Sequence, residues 1–378
     1  MTPDALAWIT HQRPRMEALL RELVLMSSHT RDKAGCDAVA EALIAAMPLA
    51  CTRVASRAYG DHLVFHNARP ASDGGVILVG HHDTVFPRGT FEGYRVDGEL
   101  ARGPGVVDMK GGLVVIAFAL RALREAGELD AIPLALAVVS DEEVGSPESA
   151  AHVREVARGA AAALVFESGR ASDAIITRRK GTGAVTARAR GRAAHAGNAH
   201  RDGANAIRAL ARFIEAAESL TDHDRGVTVN VGLVEGGTSK NTVPERARAE
   251  LDFRFVRRED GEAIVVRLGE VARAHGVEGV TVDLEGGIAR EPLERTPASE
   301  ALYRAYARHQ REEGLGDGES ALLGGGSDAS TTAAVGVPSI DGLGPRGYGF
   351  HTTDERVGLA TLAPKARSLV RFLRASRA

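Results

Sequence analysis

Three short apolar runs each break off into acids or histidines, and this repeated juxtaposition limits the folds open to the chain more than any other feature. The first, Val76-Ile77-Leu78-Val79-Gly80, ends in His81-His82-Asp83-Thr84-Val85. Alternate side chains of a strand share a face, so His81 and Asp83 point one way and His82 the other. An imidazole that ligates a metal, with a carboxylate beside it to fix its ring, is one arrangement these residues can supply. The second run, residues 132–139, leads into Ser140-Asp141-Glu142-Glu143. Two adjacent glutamates at a strand end cannot face the same way, so one can bind a metal while its neighbour holds a water. The third run, Ala163-Leu164-Val165-Phe166, ends in Glu167. Between the first two, Gly103-Pro104-Gly105-Val106-Val107-Asp108-Met109-Lys110-Gly111-Gly112 delivers a lone carboxylate just ahead of an apolar helix over 113–126.

Strand and helix alternate from here to about residue 168, which predicts a mixed, mostly parallel sheet covered on both faces, an α/β domain. In such sheets ligands sit beyond the carboxyl ends of the strands, where His81, Asp83, Glu142, Glu143 and Glu167 all fall. Taken singly, each motif is ordinary: a His-x-Asp pair, a solvated Glu-Glu, a strand-terminal acid. The glycine-rich turn lacks the Gly-Lys-Ser/Thr ending of a P-loop and the Gly-x-Gly-x-x-Gly spacing of a dinucleotide site.

With 378 residues the chain is too long for one ordinary core, so two domains are expected. A net charge of -3, with arginines scattered among acids, tracks no nucleic-acid backbone. Cys36 and Cys51 make no zinc spacing; a disulfide between them stays open, while buried free thiols fit a reducing compartment. The first fifteen residues have no apolar core of signal-peptide length, and no run is long enough to span a bilayer, so a cytoplasmic protein with no membrane partner is expected; a chain already relieved of a leader would read the same.

Helical periodicity over 16–26 and 37–47 precedes the first strands, and residues 63–66 and 76–80 read as neighbouring strands joined through the turn-rich 71–75. After residue 178 the pattern changes to strand (180–190), helix (202–220), strand (226–235), strand (246–255), helix (259–275) and strand (277–284). This β-α-β-β-α-β order is that of a ferredoxin-like α+β domain. It is self-contained, so residues 179–290 read as an insertion, with 1–178 and 291–378 forming the larger domain. Thr296-Pro297 caps and starts a helix, and 359–373 supplies the closing one. Gly324-Gly325-Gly326-Ser327-Asp328 is either an anion cradle of successive backbone N–H groups or a plain turn. Late in the chain, a glycine-rich stretch from Gly342 ends in Gly349-Phe350-His351.

In this order the motifs Gly-His-His-Asp-Thr-Val, Gly-Pro-Gly-Val-Val-Asp-Met-Lys-Gly-Gly, Asp-Glu-Glu-Val-Gly-Ser and Gly-Phe-His make the whole chain similar to the M20-type dizinc metallopeptidases, nearest their carboxypeptidase G2 branch. The resemblance implies that His81 and Glu167 hold one Zn²⁺, that Glu143 and His351 hold a second, and that Asp108 bridges both and precedes a cis peptide bond. Co²⁺ or Mn²⁺ could substitute for zinc, since mixed imidazole and carboxylate sets suit all three. It further implies that Asp83 orients His81 and that Glu142 is the general base. In Gly191-Arg192-Ala193-Ala194-His195-Ala196-Gly197, His195 would stabilise the tetrahedral intermediate, reaching the partner's site in dimeric members. Asn241 and Arg254 match positions that hold the substrate's free carboxylate, and Gly325 and Ser327 of the glycine-rich turn are expected as further substrate contacts. The implied enzyme is a homodimer, joined through the inserted lid domain, that cleaves a small peptide or N-acyl amino acid to release a glutamate- or aspartate-like residue. A deacylase or a dipeptidase, β-linked dipeptides included, is the alternative on the same fold. The glutamate at 167, where dipeptidase and aminoacylase relatives use aspartate, favours the carboxypeptidase and desuccinylase side. A non-catalytic binding protein would lack a ligand or the base, and here His81, Asp108, Glu142, Glu143, Glu167 and His351 are all present.

Overall fold

The computed structural model describes residues 4–376, so the first three residues of the N-terminal segment discussed above lie outside it. The chain divides into two compact units, one formed by residues up to Arg178, Arg295–Leu322 and the chain from Ser327 on, the other by Arg179–Glu294 with Leu323–Gly326.

The first unit is built on a six-stranded sheet in the order Ala50–Val54, His62–His66, Leu134–Val139, Val76–His81, Ala162–Val165, Ser339–Ile340. The last four are mutually parallel and the first two antiparallel. Leu134–Val139 and Val76–His81 are buried at every position, which is why they read as unbroken apolar runs rather than alternating ones. Residues 62–66 and 76–81 are therefore not neighbours, contrary to the sequence expectation: Leu134–Val139 lies between them. The segment between them is no hairpin turn, because it runs alongside the entry to Leu134–Val139. Asn67 Nδ2 donates to the carbonyls of Leu129 (2.7 Å) and Ile132 (2.8 Å), and Leu134 N donates to Arg69 O.

The helix Lys110–Glu125 lies in the core of this unit, with Leu113, Val114, Phe118 and Leu120 buried among Leu369, Phe372 and Leu373 of the closing helix Leu362–Ala375. It begins three residues earlier than periodicity suggests. Gly112 allows that start, since a Cβ there would collide with the carbonyl oxygen of Phe166, beside Glu167. The helix Pro297–Glu312 starts as expected: Thr296 Oγ1 accepts from Ser299 N (3.1 Å) and Ser299 Oγ accepts from Thr296 N (2.9 Å). A second, small antiparallel sheet orders Gly347–Tyr348, Arg356–Gly358, Leu100–Arg102 and Arg95–Asp97, bringing together the roots of the loops that carry His351 and Asp108.

The second unit is an antiparallel sheet ordered Thr228–Gly236, Arg246–Phe255, Gly181–Arg190, Thr281–Arg290. Arg246–Phe255 alternates partly exposed and buried positions, and its Leu251, Phe253 and Phe255 meet Leu210 and Phe213 of helix Ala206–Glu218 and Leu268 of helix Arg258–Arg273. This is the ferredoxin-like arrangement that the order of elements suggests. Cys36 and Cys51 are both free. No described helix is long and apolar enough to cross a membrane.

Candidate metal centre

His81 closes its strand with its ring between two sets of acids. Its Nδ1 lies 3.3 Å from Asp83 Oδ1, and its Nε2 lies 3.3 Å from Asp108 Oδ1 and 3.4 Å from Glu167 Oε1. Asp83, fully buried, is itself held: Thr30 Oγ1 donates to its Oδ2 (2.8 Å), as does Glu143 N (3.3 Å). Although the strand ends at His81, Asp83 lies behind the imidazole, as the sequence implied. His82 points away into the interior, where burial pushes its pKa down to about 3 and keeps it neutral.

Asp108 joins two clusters. Its other oxygen, Oδ2, lies 3.3 Å from His351 Nε2, which is in turn 3.1 Å from Glu143 Oε2. Two triads result, His81, Asp108 and Glu167 on one side and Asp108, Glu143 and His351 on the other, with the donor atoms of each within 4.8 Å of one another. The Asp108–Met109 peptide bond is cis. His351 sits in the left-handed region with φ of 63°, half exposed on its loop.

Electrostatics define what this cage can hold. Burial pushes the Glu143 carboxyl up to about 7 and the Glu167 carboxyl well above its usual range, and the Asp108 charge adds to both shifts. His351, hydrogen-bonded to Asp108 and Glu143, is raised to about 10; at His81, where burial opposes the charged form, Glu167, Asp108 and Asp83 win and raise it. The site is a double well for positive charge. Its donors, two imidazole nitrogens and three carboxylates, are those that divalent zinc, cobalt or manganese accepts. His81 Nε2 is buried and has no well-formed hydrogen bond although two carboxylate oxygens face it, as a nitrogen aimed at an ion would. The residues therefore fit a pair of divalent cations.

Glu142 begins the turn Glu142–Val144 that carries Glu143. Buried Asp141 shapes that turn, its Oδ2 accepting from Glu148 N (2.8 Å) and Ser149 N (3.1 Å). Sequence reasoning passed over Asp141, and it passed over Glu355 as well. That residue is fully buried, and its oxygens accept from Gly105 N (3.0 Å), Val107 N (2.9 Å) and Asp108 N (3.0 Å). Nothing in the sequence marks it except its place four residues after His351.

Ser327 is a buried helix cap: its Oγ accepts from Ala329 N (3.2 Å) and donates to Asp341 Oδ2 (2.7 Å). Its hydroxyl is thus committed within the fold. Gly325, in the second unit, offers its carbonyl to Arg179 Nη1 (3.1 Å).

The second unit also holds His195, Asn241 and Arg254. His195 lies opposite Thr242 in a two-stranded pairing, and Ala196 N donates to Asn241 O (2.9 Å), so the first two candidates are neighbours. The His195 Nδ1 accepts from Gly197 N and Asn198 N, both at 3.1 Å, which leaves the proton of the neutral ring on Nε2. Arg254 is engaged by its own strand: Nε and Nη2 donate to the two carboxylate oxygens of Asp252 at 2.7 and 2.8 Å.

The family description "Peptidase family M20/M25/M40" matches residues 77–375. Carboxypeptidase G2 of Pseudomonas sp. (strain RS-16) is 29% identical over 353 residues, covering 91% of this chain and 84% of that protein. Succinyl-diaminopimelate desuccinylase of Thioalkalivibrio sulfidiphilus (strain HL-EbGR7) is 27% identical over 375 residues, covering 92% and 95%. Among solved structures, aminopeptidase PepT from Bacillus cereus ATCC 10987 superposes with a TM-score of 0.78 at 24% identity, over 96% of this chain and 98% of that one.

Proposed function

The chain belongs to peptidase family M20/M25/M40, and from that premise we propose that it is a dizinc carboxypeptidase-like hydrolase releasing a glutamate- or aspartate-like residue from a small peptide or N-acyl amino acid. Family membership makes it a metallohydrolase of peptide or amide bonds. The observation that carries the dinuclear reading is Asp108, whose two oxygens face two different imidazoles. In this reading His81, Asp108 and Glu167 hold one cation, and Asp108, Glu143 and His351 the other. A bound pair of zinc ions supplies Lewis acidity, acidifying a water and polarising the amide carbonyl; cobalt or manganese can supply the same.

The chain's own groups do the rest. Asp83 keeps the His81 ring aligned through Nδ1. Glu142 accepts the proton of the attacking water and returns it to the departing nitrogen. His195, with its proton on Nε2, donates a hydrogen bond to the oxyanion that develops in the partner subunit's site, as the resemblance implies for dimeric members. Arg254 and Asn241 take the free carboxylate of the released residue, for which Arg254 must give up the Asp252 pair or use its remaining N–H groups.

The second unit serves in this reading as lid and dimerisation domain. Its sheet ends at Thr228–Gly236, a bulged edge strand that exposes Leu233 and Val234, with Ile207 exposed on the adjoining helix. A second reading, an N-acyl-amino-acid deacylase, is supported by the likeness to a desuccinylase. Turnover of a folyl-glutamate, N-acetyl amino acids and a dipeptide panel by the zinc-loaded protein separates the two. Highest kcat/KM on substrates ending in glutamate or aspartate is expected; preference for N-acetyl amino acids other than those of glutamate and aspartate would replace the carboxypeptidase reading by the deacylase one.

A further inference from the structure

Glu355 has no place in the chemistry just described, yet it is a fully buried carboxylate at the centre of the loops that deliver it. Burying a carboxylate costs several kcal/mol unless its lone pairs are met. Among the described residues no lysine, arginine or histidine lies within ion-pair distance of Glu355; its partners are three backbone amides, those of Gly105, Val107 and Asp108. They belong to the loop that presents Asp108.

Glu355 itself belongs to the loop that presents His351. That loop is a closed turn: Thr352 N and Oγ1 both donate to Gly349 O (3.0 and 2.7 Å), and Glu355 N donates to Thr352 O (3.2 Å). Immediately after it, Arg356–Gly358 pairs with Leu100–Arg102, which leads into the Asp108 loop. The two loops are thus joined at their roots by the small sheet and, just beyond it, by one carboxylate. We propose that Glu355 is a positioning residue, a latch that holds the Asp108 loop and the His351 loop in register and so sets the second cation site. This rests on the dinuclear reading above. The first site has two of its three donors, His81 and Glu167, at the ends of sheet strands, whereas the second depends on His351, half exposed in a left-handed turn.

The test is a titration of metal-free protein with Co²⁺, followed by visible absorption and calorimetry, for wild type, Glu355→Ala, Glu355→Gln and Glu355→Asp. Wild type is expected to bind two ions. In Glu355→Ala the second ion should bind at least about tenfold more weakly, the range seen when outer-shell partners of ligands are removed, with the first changed by less than about threefold. Glu355→Asp should recover part of the loss, and kcat should fall more than KM rises. If Glu355→Ala does not fold, Glu355→Gln decides, since it keeps the side-chain volume but turns an N–H₂ toward the amides. Two ions bound as in wild type, or both weakened by the same factor, would overturn the latch. A wild-type protein that takes fewer than two ions would instead remove the dinuclear reading beneath it.

Discussion

At the scale of single residues, the proposed reaction divides between Glu142 as base and Glu143 as ligand, neighbours given different work. Glu142→Gln is expected to lower kcat by about 10²- to 10⁴-fold, with metal content and KM little changed, as loss of a general base should. Full activity in that variant, measured with two bound ions, would assign the proton transfer elsewhere. Arg254 gives a second test. Losing a charge-assisted hydrogen bond costs about 1.5–3 kcal/mol, so Arg254→Met should raise KM for substrates with a free terminal carboxylate roughly tenfold to a hundredfold. Asp252→Asn, by freeing the guanidinium, should lower it. The site was legible at this scale where side chains meet side chains. Alternation read past the end of one strand put Asp83 behind His81, and the run of motifs picked out Asp108, Glu143, Glu167 and His351. Glu355 escaped because its partners are backbone amides, which every residue carries, and Arg254 hid its Asp252 pair because either residue alone reads as a solvated strand position.

At the scale of elements, the site depends on how closely the helix Lys110–Glu125 approaches the strand ending at Val165. Gly112→Ala would drive a methyl group against the Phe166 carbonyl and should destabilise the protein by about 1–3 kcal/mol, read as a lower denaturant midpoint, while loosening Asp108 from Glu167. The closing helix offers a pH test. Lys365 is fully buried, and burial lowers its pKa to about 8 although Asp173 pulls the other way. Between about pH 8 and its unfolded value near 10.4 the unfolded chain binds a proton that the folded one does not, so stability rises with pH in that window. Wild type should therefore gain on Lys365→Met by roughly 1 kcal/mol per pH unit there; a constant difference in urea unfolding would contradict it. Element types were legible because buried parallel strands read as continuous apolar runs. Strand order was not, because Leu134–Val139 inserts between His62–His66 and Val76–His81 through pairings with residues far away in sequence.

At the scale of the whole molecule, two units were legible from length and from the β-α-β-β-α-β order that interrupts the first. Substrate choice was not, since it turns on a few pocket side chains with no periodicity to betray them. The exposed Leu233 and Val234 on an edge strand lead to an expected dimer in sedimentation, converted to monomer by a Leu233→Asp, Val234→Asp double variant with the fold retained. A wild-type protein that sediments as a monomer would leave that edge without its proposed partner. The central claim is that Asp108 is shared between two cations. Anomalous diffraction from zinc-loaded crystals tests it most directly. Two peaks about 3.5–4 Å apart are expected, each with one Asp108 oxygen, one flanked by His81 and Glu167 and the other by Glu143 and His351. A single peak, or a second one out of reach of His351, would contradict it.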